Sequence, residues 1–474
     1  MILKRFYEEK IAQASFLLGC SACGEAIVID PNRAVERYID AARAEGLRIT
    51  AVTETHIHAD FISGSRELTR RTGATLYVSA EGGPDWQYAF VREPGVKVLR
   101  HGDSIRAGNV RLDVHHTPGH TPEHLAFLLT DEATSPQPVG AFTGDFIFAG
   151  DVGRPDLLER AAGISGTMET GARQLYASLQ RFSAQPDRLL LWPGHGSGSA
   201  CGKKLGGMPV TTLGYEKLAN WAFHAKDESE FVSKVLEDQP EPPRYFAEMK
   251  RVNKIGASAI WEAPAQLDPG ALESMLSSGS VQVIDLRPPA DFAAGFIPGT
   301  ITIPLDKNFL NWCGALLGPK EELCLLGEEI QVREATAALG LIGLDCRTGW
   351  FSPNVLELWR ARHGKLAAID QLEAARWNES RREQQVVLDV RATTEYRAGH
   401  IPGATHIPLG RLPEAARQLP KESPLLVHCQ GGVRSPIAFS LLVKMGFRNL
   451  TNLSGGFQDY QREGLPVEIG SSGK

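Results

Sequence analysis

Val283–Arg287 reads Val-Ile-Asp-Leu-Arg, and Val387–Arg391 reads Val-Leu-Asp-Val-Arg, 104 residues further on. The same offset carries Asp291–Pro304, containing Phe-Ile-Pro-Gly-Thr and Ile-Pro, onto Glu395–Pro408, containing His-Ile-Pro-Gly-Ala and Ile-Pro. Self-similarity at a fixed period means that the latter half builds one supersecondary unit twice. Each copy opens on an apolar run that ends in Asp-x-Arg, the pattern of a buried strand followed by a polar turn. Two α/β domains are expected here, residues 260–365 and 368–474. At 474 residues the chain has room for about three domains of roughly 150 residues. Residues 1–245 then form a domain of another kind.

That first part alternates β-rich runs with glycine turns, at Ala26–Asp30, Ile49–Thr53, Thr75–Val78, Val110–His115, Leu125–Leu129, Gly140–Phe146 and Leu189–Trp192. Helical stretches, Ala34–Glu45 and Gly171–Phe182, sit between some of them. Such an order predicts layered sheets covered by helices. The proline-bearing segment Asp238–Arg244 reads as a linker. A net charge of −6 with no long basic stretch argues against nucleic acid and anionic membranes as partners. No run of about 18 apolar residues is present to span a bilayer, and Met1–Gly24 lacks the apolar core of a signal peptide. Seven cysteines, scattered and odd in number, do not form a disulfide framework, so a cytoplasmic location is expected.

Residues 55–61 read Thr-His-Ile-His-Ala-Asp-Phe. His56 and His58 are spaced to reach one ion and Asp60 a neighbouring one, but Phe61 offers no lone pair. Three later segments carry candidate ligands after strands, beside glycine or proline: His120 in Thr-Pro-Gly-His-Thr, Asp145 in Phe-Thr-Gly-Asp-Phe and His195 in Trp-Pro-Gly-His-Gly. Loops that follow strands are where a rigid scaffold displays ligands. A single histidine would more often be a surface or core group; this ordered set predicts a metal site.

The set resembles the glyoxalase-II branch of the metallo-β-lactamase fold, an αββα sandwich. Within that branch Gly-Asp-Phe-Ile-Phe-Ala-Gly-Asp-Val-Gly-Arg-Pro-Asp (144–156) is closest to the persulfide dioxygenases. The resemblance implies one Fe(II) per chain, held by His56, His120 and Asp145 with open positions for substrate and O2. His58, Asp60 and His195 would then orient ligands or substrate. A binuclear hydrolase needs the donor that Phe61 removes, whereas a mononuclear oxygenase does not. Arg154 is expected to receive the carboxylate of a thiol-bearing substrate. Gly196 and Ser197 replace the Asp-Tyr of glutathione-using relatives, which leaves glutathione, coenzyme A or another thiol open as the carrier. Cys201 lies near Lys203 and Lys204, cations that favour thiolate, in a stretch that reads as a mobile loop. It is expected either to relay sulfur near the iron or to be incidental. Cys20 and Cys23 are expected to be buried structural thiols.

In the second copy, strand Leu425–His428 is followed by Cys429-Gln-Gly-Gly-Val-Arg434-Ser435-Pro436. Ser435 as N-cap and Pro436 at the first helical position predict a helix start, which makes the loop an anion nest. Gly431 and Gly432 let the chain curl around the sulfur, and Arg434 closes the ring. This copy resembles the rhodanese sulfurtransferases. A phosphatase loop has five residues between cysteine and arginine; here four intervene, which suits one sulfur rather than a phosphate. Matching Gly343 with Gly446 puts Leu326 opposite Cys429 in the first copy, beside Glu328 and Glu329, so that copy is expected to be non-catalytic. Cys324 or Cys313 acting in its place is a weaker alternative.

The joined expectation is a cytoplasmic homo-oligomer, dimer or tetramer, that oxidises a low-molecular-weight persulfide with O2 to sulfite. Sulfur transfer through Cys429 would make or use thiosulfate. The alternative is a glyoxalase-II-type binuclear zinc thioester hydrolase with rhodanese domains; a sulfide-responsive scaffold without turnover is a third reading.

Overall fold

The computed structural model describes residues 1–162, 166–203, 205–239, 242–243, 245–257, 263–318, 320–380 and 384–470. Lys204 and parts of the 238–244 segment therefore lie outside the described residues. The chain divides into two compact units, Met1–Ile260 with Gly340–Gly343, and Trp261–Leu339 with Leu344–Lys474.

The first unit contains two six-stranded sheets. One runs in sequence order through β1 (Ile2–Glu8), β2 (Gln13–Cys20), β3 (Glu25–Ile29), β4 (Arg48–Thr53), β5 (Thr75–Ser79) and β6 (Val96–Leu99). The other comprises β7 (Ser104–Ala107), β8 (Val110–His116), β9 (Leu125–Asp131), β10 (Gly140–Gly144), β13 (Leu190–Pro193) and β14 (Thr211–Thr212), with β11 (Ile147–Phe148) and β12 (Asp151–Val152) forming a small hairpin. Its order is β14-β13-β10-β9-β8-β7.

Phe16, Leu18, Ile27 and Ile29 from one sheet meet Leu112, Val114, Phe127 and Phe142 from the other in a dry layer. Strand period two sends alternate residues to the opposite faces, where helices cover them. Tyr38, Ala42 and Leu68 of helices Glu36–Ala44 and Ser65–Thr72 pack on Val28, Val52 and Leu76. Leu175, Leu179, Phe231 and Val235 of helices Thr167–Phe182 and Glu228–Leu236 pack on Leu128, Ala141 and Leu191. The result is a helix–sheet–sheet–helix sandwich.

In the second unit, strands Ile301–Thr302, Val281–Asp285, Glu322–Leu326 and Gly349–Phe351 form one parallel sheet in that order. Thr405–His406, Val386–Asp389, Leu425–His428, Leu450–Leu453 and Gln371–Leu372 form the other, also parallel. Strand Leu425–His428 is buried along its whole length, as expected where helices cover both faces. Among the described residues no helix is long and apolar enough to cross a membrane.

Strand register corrects the match between copies. Asp285 pairs with Leu326 and Asp389 with His428. Leu286 N–H donates to the Leu326 carbonyl as Val390 N–H does to that of His428. Gly327, not Leu326, therefore stands opposite Cys429, and Cys324 lies inside the strand. Counting back from the helix ends misplaced the site because strand-to-helix loop and helix length change together. Residues 327–328 separate strand from helix Glu329–Leu341, whereas 429–433 precede helix Arg434–Lys444.

Candidate metal centre and sulfur cradle

The candidate ligands leave the sandwich at the ends of strands. His56, His58 and Asp60 follow β4, His120 follows β8, Asp145 directly follows β10, and His195 follows β13. All are buried. His56, His120 and Asp145 present one ligand atom each, all within 4.8 Å of one another.

Hydrogen bonds fix which nitrogen of each imidazole is bare. The Thr55 hydroxyl donates to Asp30 Oδ2 at 2.9 Å, so at 2.9 Å from His56 Nδ1 it accepts that ring's proton. His120 Nδ1 donates to the Arg154 carbonyl at 2.9 Å. Both rings then turn Nε2 to Asp145 Oδ2, at 4.0 Å from His56 and 3.4 Å from His120. Burial, reinforced by neighbouring imidazoles, holds His56 far below its usual range. Burial, with the Lys250 ammonium, pulls His120 down to about 3. Two neutral nitrogens thus aim lone pairs at a buried carboxylate. No N–H or O–H among the described residues donates to either Asp145 oxygen, although the Cys201 thiol is near. Burial lifts that carboxyl to about 6. Lone pairs converging without protons are repulsive unless a cation lies between them, so the arrangement fits a metal ion.

His58 turns elsewhere. Its Nε2 lies 3.0 Å from Asp30 Oδ1; burial opposes the imidazolium, but the carboxylates of Asp30, Glu54 and Asp60 together outweigh it and raise the group to about 9. Phe61 is buried with its ring 4.4 Å from that of His58, and its carbonyl accepts from Asn253 Nδ2. His195 Nδ1 donates to the Ala12 carbonyl at 3.1 Å, which leaves Nε2 at 3.2 Å from Asp60 Oδ2 and 3.3 Å from Asp145 Oδ1. Asp60, His195 and Cys201 form a second group whose ligand atoms lie within 4.8 Å of one another. This group draws its third side chain, a thiol, from another loop and takes none from Phe61.

Two expectations change. Cys201 is neither exposed nor tuned toward thiolate: burial, then the Asp145 and Asp60 carboxylates, push its thiol well up, and Lys203 instead donates through Nζ to the Lys234 carbonyl. Arg154 is fully buried, donates twice to Asp156 at 2.7 Å and once to the Ala200 carbonyl, and so braces the loops rather than facing substrate. Cys23 is exposed although Cys20 is buried.

Sequence reading missed several residues. His124 Nε2 accepts the Asp145 N–H at 3.1 Å, and its Nδ1 meets the Thr117 hydroxyl at 2.8 Å. Glu123 Oε1 accepts the Ile57 N–H at 2.9 Å. Lys250 lies 3.8 Å from the centre of the Trp86 ring, and burial, against the pull of Glu123, brings its ammonium down to about 7. His124 and Glu123 follow His120 closely, a proximity that could have flagged them; Lys250 carried no local signal.

In the second copy Cys429 is buried and its sulfur accepts the Gly432 N–H at 3.2 Å, with the Ser435 hydroxyl at 3.5 Å. Gly432 has φ +91°, open to glycine, while Gly431 is exposed and a Cβ there would meet Gln458 at ordinary contact distance. Helix Arg434–Lys444 starts two residues earlier than expected, with Val433 rather than Ser435 at the cap. Arg434 does not close on the sulfur: Nη1 and Nη2 donate to Glu395 at 2.6 and 2.7 Å. In the first copy Cys313 and Cys324 are buried, neither at the position matching Cys429, and burial pushes both thiols up.

The sandwich and its histidine–aspartate cluster define a metal-binding α/β protein joined to paired sulfurtransferase-type domains. Residues 11–195 match the metallo-beta-lactamase superfamily, and residues 268–350 and 371–463 match the rhodanese-like domain. A crystal structure of a metallo-beta-lactamase from Staphylococcus aureus subsp. aureus COL is 42% identical, with a TM-score of 0.68, covering 74% of this chain and 99% of that one. "Persulfide dioxygenase ETHE1, mitochondrial" of Homo sapiens is 30% identical over 200 residues, 41% of this chain and 68% of that protein. A "Hydroxyacylglutathione hydrolase" of Rhodospirillum rubrum is 31% identical over 181 residues, 38% of this chain and 60% of that protein. The chain belongs to the metallo-beta-lactamase superfamily and carries two rhodanese-like domains.

Proposed function

We propose that the chain is a persulfide dioxygenase–sulfurtransferase. The observation that carries this reading is the pair of neutral imidazoles, His56 and His120, converging on unpartnered Asp145 in a chain that also holds the Cys429 cradle. Similarity to a persulfide dioxygenase supports Fe(II) as the ion that His56, His120 and Asp145 would hold. When bound, iron would supply the redox chemistry by which O2 oxidises the terminal sulfur of a thiol persulfide to sulfite. The Thr55 hydroxyl and the Arg154 carbonyl hold the ligand tautomers, and His124 holds the Asp145 backbone. His58 and Asp30 form a charged pair behind His56. Asp60, His195 and Cys201 lie near the same carboxylate, where the thiol would meet a persulfide sulfur.

At Cys429 the Gly432 N–H stabilises sulfur anions. Sulfane sulfur carried there would be taken by sulfite to give thiosulfate, or delivered in the reverse direction. Joining the two sites on one chain raises the effective concentration of sulfite at the second. Free thiols at Cys201 and Cys429 suit a reducing cytoplasm.

The Asp60–His195–Cys201 group favours one rival, a binuclear zinc thioester hydrolase, and a hydroxyacylglutathione hydrolase is among the relatives. Metal analysis and an oxygen-electrode trace with glutathione and coenzyme A persulfides separate them. One iron per chain with O2 uptake and sulfite release is expected; two zinc ions with thioester hydrolysis and no O2 uptake would replace this reading.

A further inference from the structure

Two arginines face the Cys429 loop, and each already has a carboxylate. Arg391 donates through Nε and Nη2 to Asp389 at 2.6–3.0 Å and through Nη1 to Gln430 Oε1 at 3.1 Å. Arg434 donates through both terminal nitrogens to Glu395. Glu395 Oε2 also accepts the Ala392 N–H at 2.9 Å, which anchors it at the first turn of helix Thr393–Ala398.

The pairs differ in access to water. The Asp389 and Arg391 side chains are 0% and 1% exposed, those of Glu395 and Arg434 31% and 17%. A sealed pair cannot trade partners without stranding a buried charge, whereas a half-open pair is held weakly and can. A guanidinium fork fits the oxygens of sulfite or thiosulfate as well as a carboxylate. In the first copy Asp291 occupies the place of Glu395, but Glu329 opens the helix where Arg434 does, so the exchangeable cation disappears along with the loop.

We propose that Glu395 sets the substrate preference of the Cys429 site by occupying Arg434, so that a sulfur oxyanion must displace it and an uncharged thiol need not. The inference rests on the reading of Cys429 as a sulfur carrier. In that step the sulfur lone pair of sulfite forms a bond to the outer sulfur of the Cys429 persulfide. The old S–S pair returns to Sγ as thiolate and thiosulfate departs, with no external oxidant needed. Arg434 positions the oxyanion; Glu395 competes with it.

Glu395→Gln keeps the length and the cap while removing the charge, and Glu395→Asp keeps the charge. The first readout is alkylation of Cys429 by iodoacetamide in the full chain, with inorganic sulfate as the protecting oxyanion. The half-protecting sulfate concentration is expected to fall about two- to fivefold in Glu395→Gln and to stay near wild type in Glu395→Asp. KM for sulfite should fall by a similar factor at unchanged kcat, with KM for 2-mercaptoethanol as acceptor unmoved. Equal protection in wild type and Glu395→Gln, no protection of either, or an equal fall in KM for the thiol would overturn the inference. A shifted protection curve in a chain that transfers no sulfur to sulfite would instead leave the competition standing and remove the carrier role.

Discussion

The two rhodanese-like copies share a parallel scaffold, of four strands in one and five in the other, and differ above all in the loop after the central strand. Asp285–Arg287 and Asp389–Arg391 make the same clasp, each arginine also donating to a glycine carbonyl, Gly295 or Gly399. After the central strand, however, residues 429–433 curl around a sulfur in one copy, while only residues 327–328 intervene in the other. Helix Glu329–Leu341 has 13 residues and helix Arg434–Lys444 has 11, so the shorter loop is largely absorbed as extra helix. Backbone N–H groups that could point at an anion are spent inside that helix. The copies therefore differ by a regularised backbone, not merely by the exchange of one side chain.

The strongest way to break this comparison is at the nucleophile. Cys429→Ser is expected to remove sulfur transfer to background while O2 uptake with a persulfide survives; joint loss of both activities would sink the two-site reading. Gly327→Cys in that background is expected to restore nothing, because the thiol gains no cradle, and recovery of thiosulfate formation would refute the loop argument.

Next come the clasps. Removing one partner of a buried ion pair costs about 3–5 kcal/mol. Asp389→Asn should lie near the top of that range in urea unfolding and Asp285→Asn lower, since the Arg287 side chain is 14% exposed against 1% for Arg391. Equal losses would mean that burial of the arginine is irrelevant.

A smaller effect separates the copies by pH. Burial resists ionisation of Asp389, but His428 and Arg391 outweigh it and hold the carboxyl below its usual range. Its contribution is present above the unfolded value of about 3.9 and is lost as pH falls through the lower folded one. Burial instead leaves Asp285 raised despite Arg287, so acid relieves a cost there. Hydrogen exchange from about pH 4 downward should show protection falling in the second copy before the first.

Much of this was legible as pattern. The 104-residue offset exposed both copies, and the candidate ligands His120, Asp145 and His195 stood out because glycine or proline flanks each after a strand. What stayed hidden depends on contacts between distant segments. Cys201 reads as a loop cysteine beside lysines, yet it folds in beside Asp60 and His195. Arg154 looks like a substrate cation because its partner Asp156, two residues away, could equally have faced solvent. Helix-end alignment misplaced Gly327 because compensating changes of loop and helix leave the overall spacing nearly unaltered. β1, which pairs along its length with β2, gave no clean alternation, since all its residues are partly covered.

The hydrogen bond from His195 to the Ala12 carbonyl joins groups 183 residues apart. Closing so long a loop costs conformational entropy early and returns it only once the far strand arrives. During synthesis from the N-terminus, the β1–β2 hairpin must wait for β13 before His195 can be clasped. The candidate centre therefore depends on segments from both ends of residues 12–195, and a chain interrupted before β13 would lack the His195 clasp.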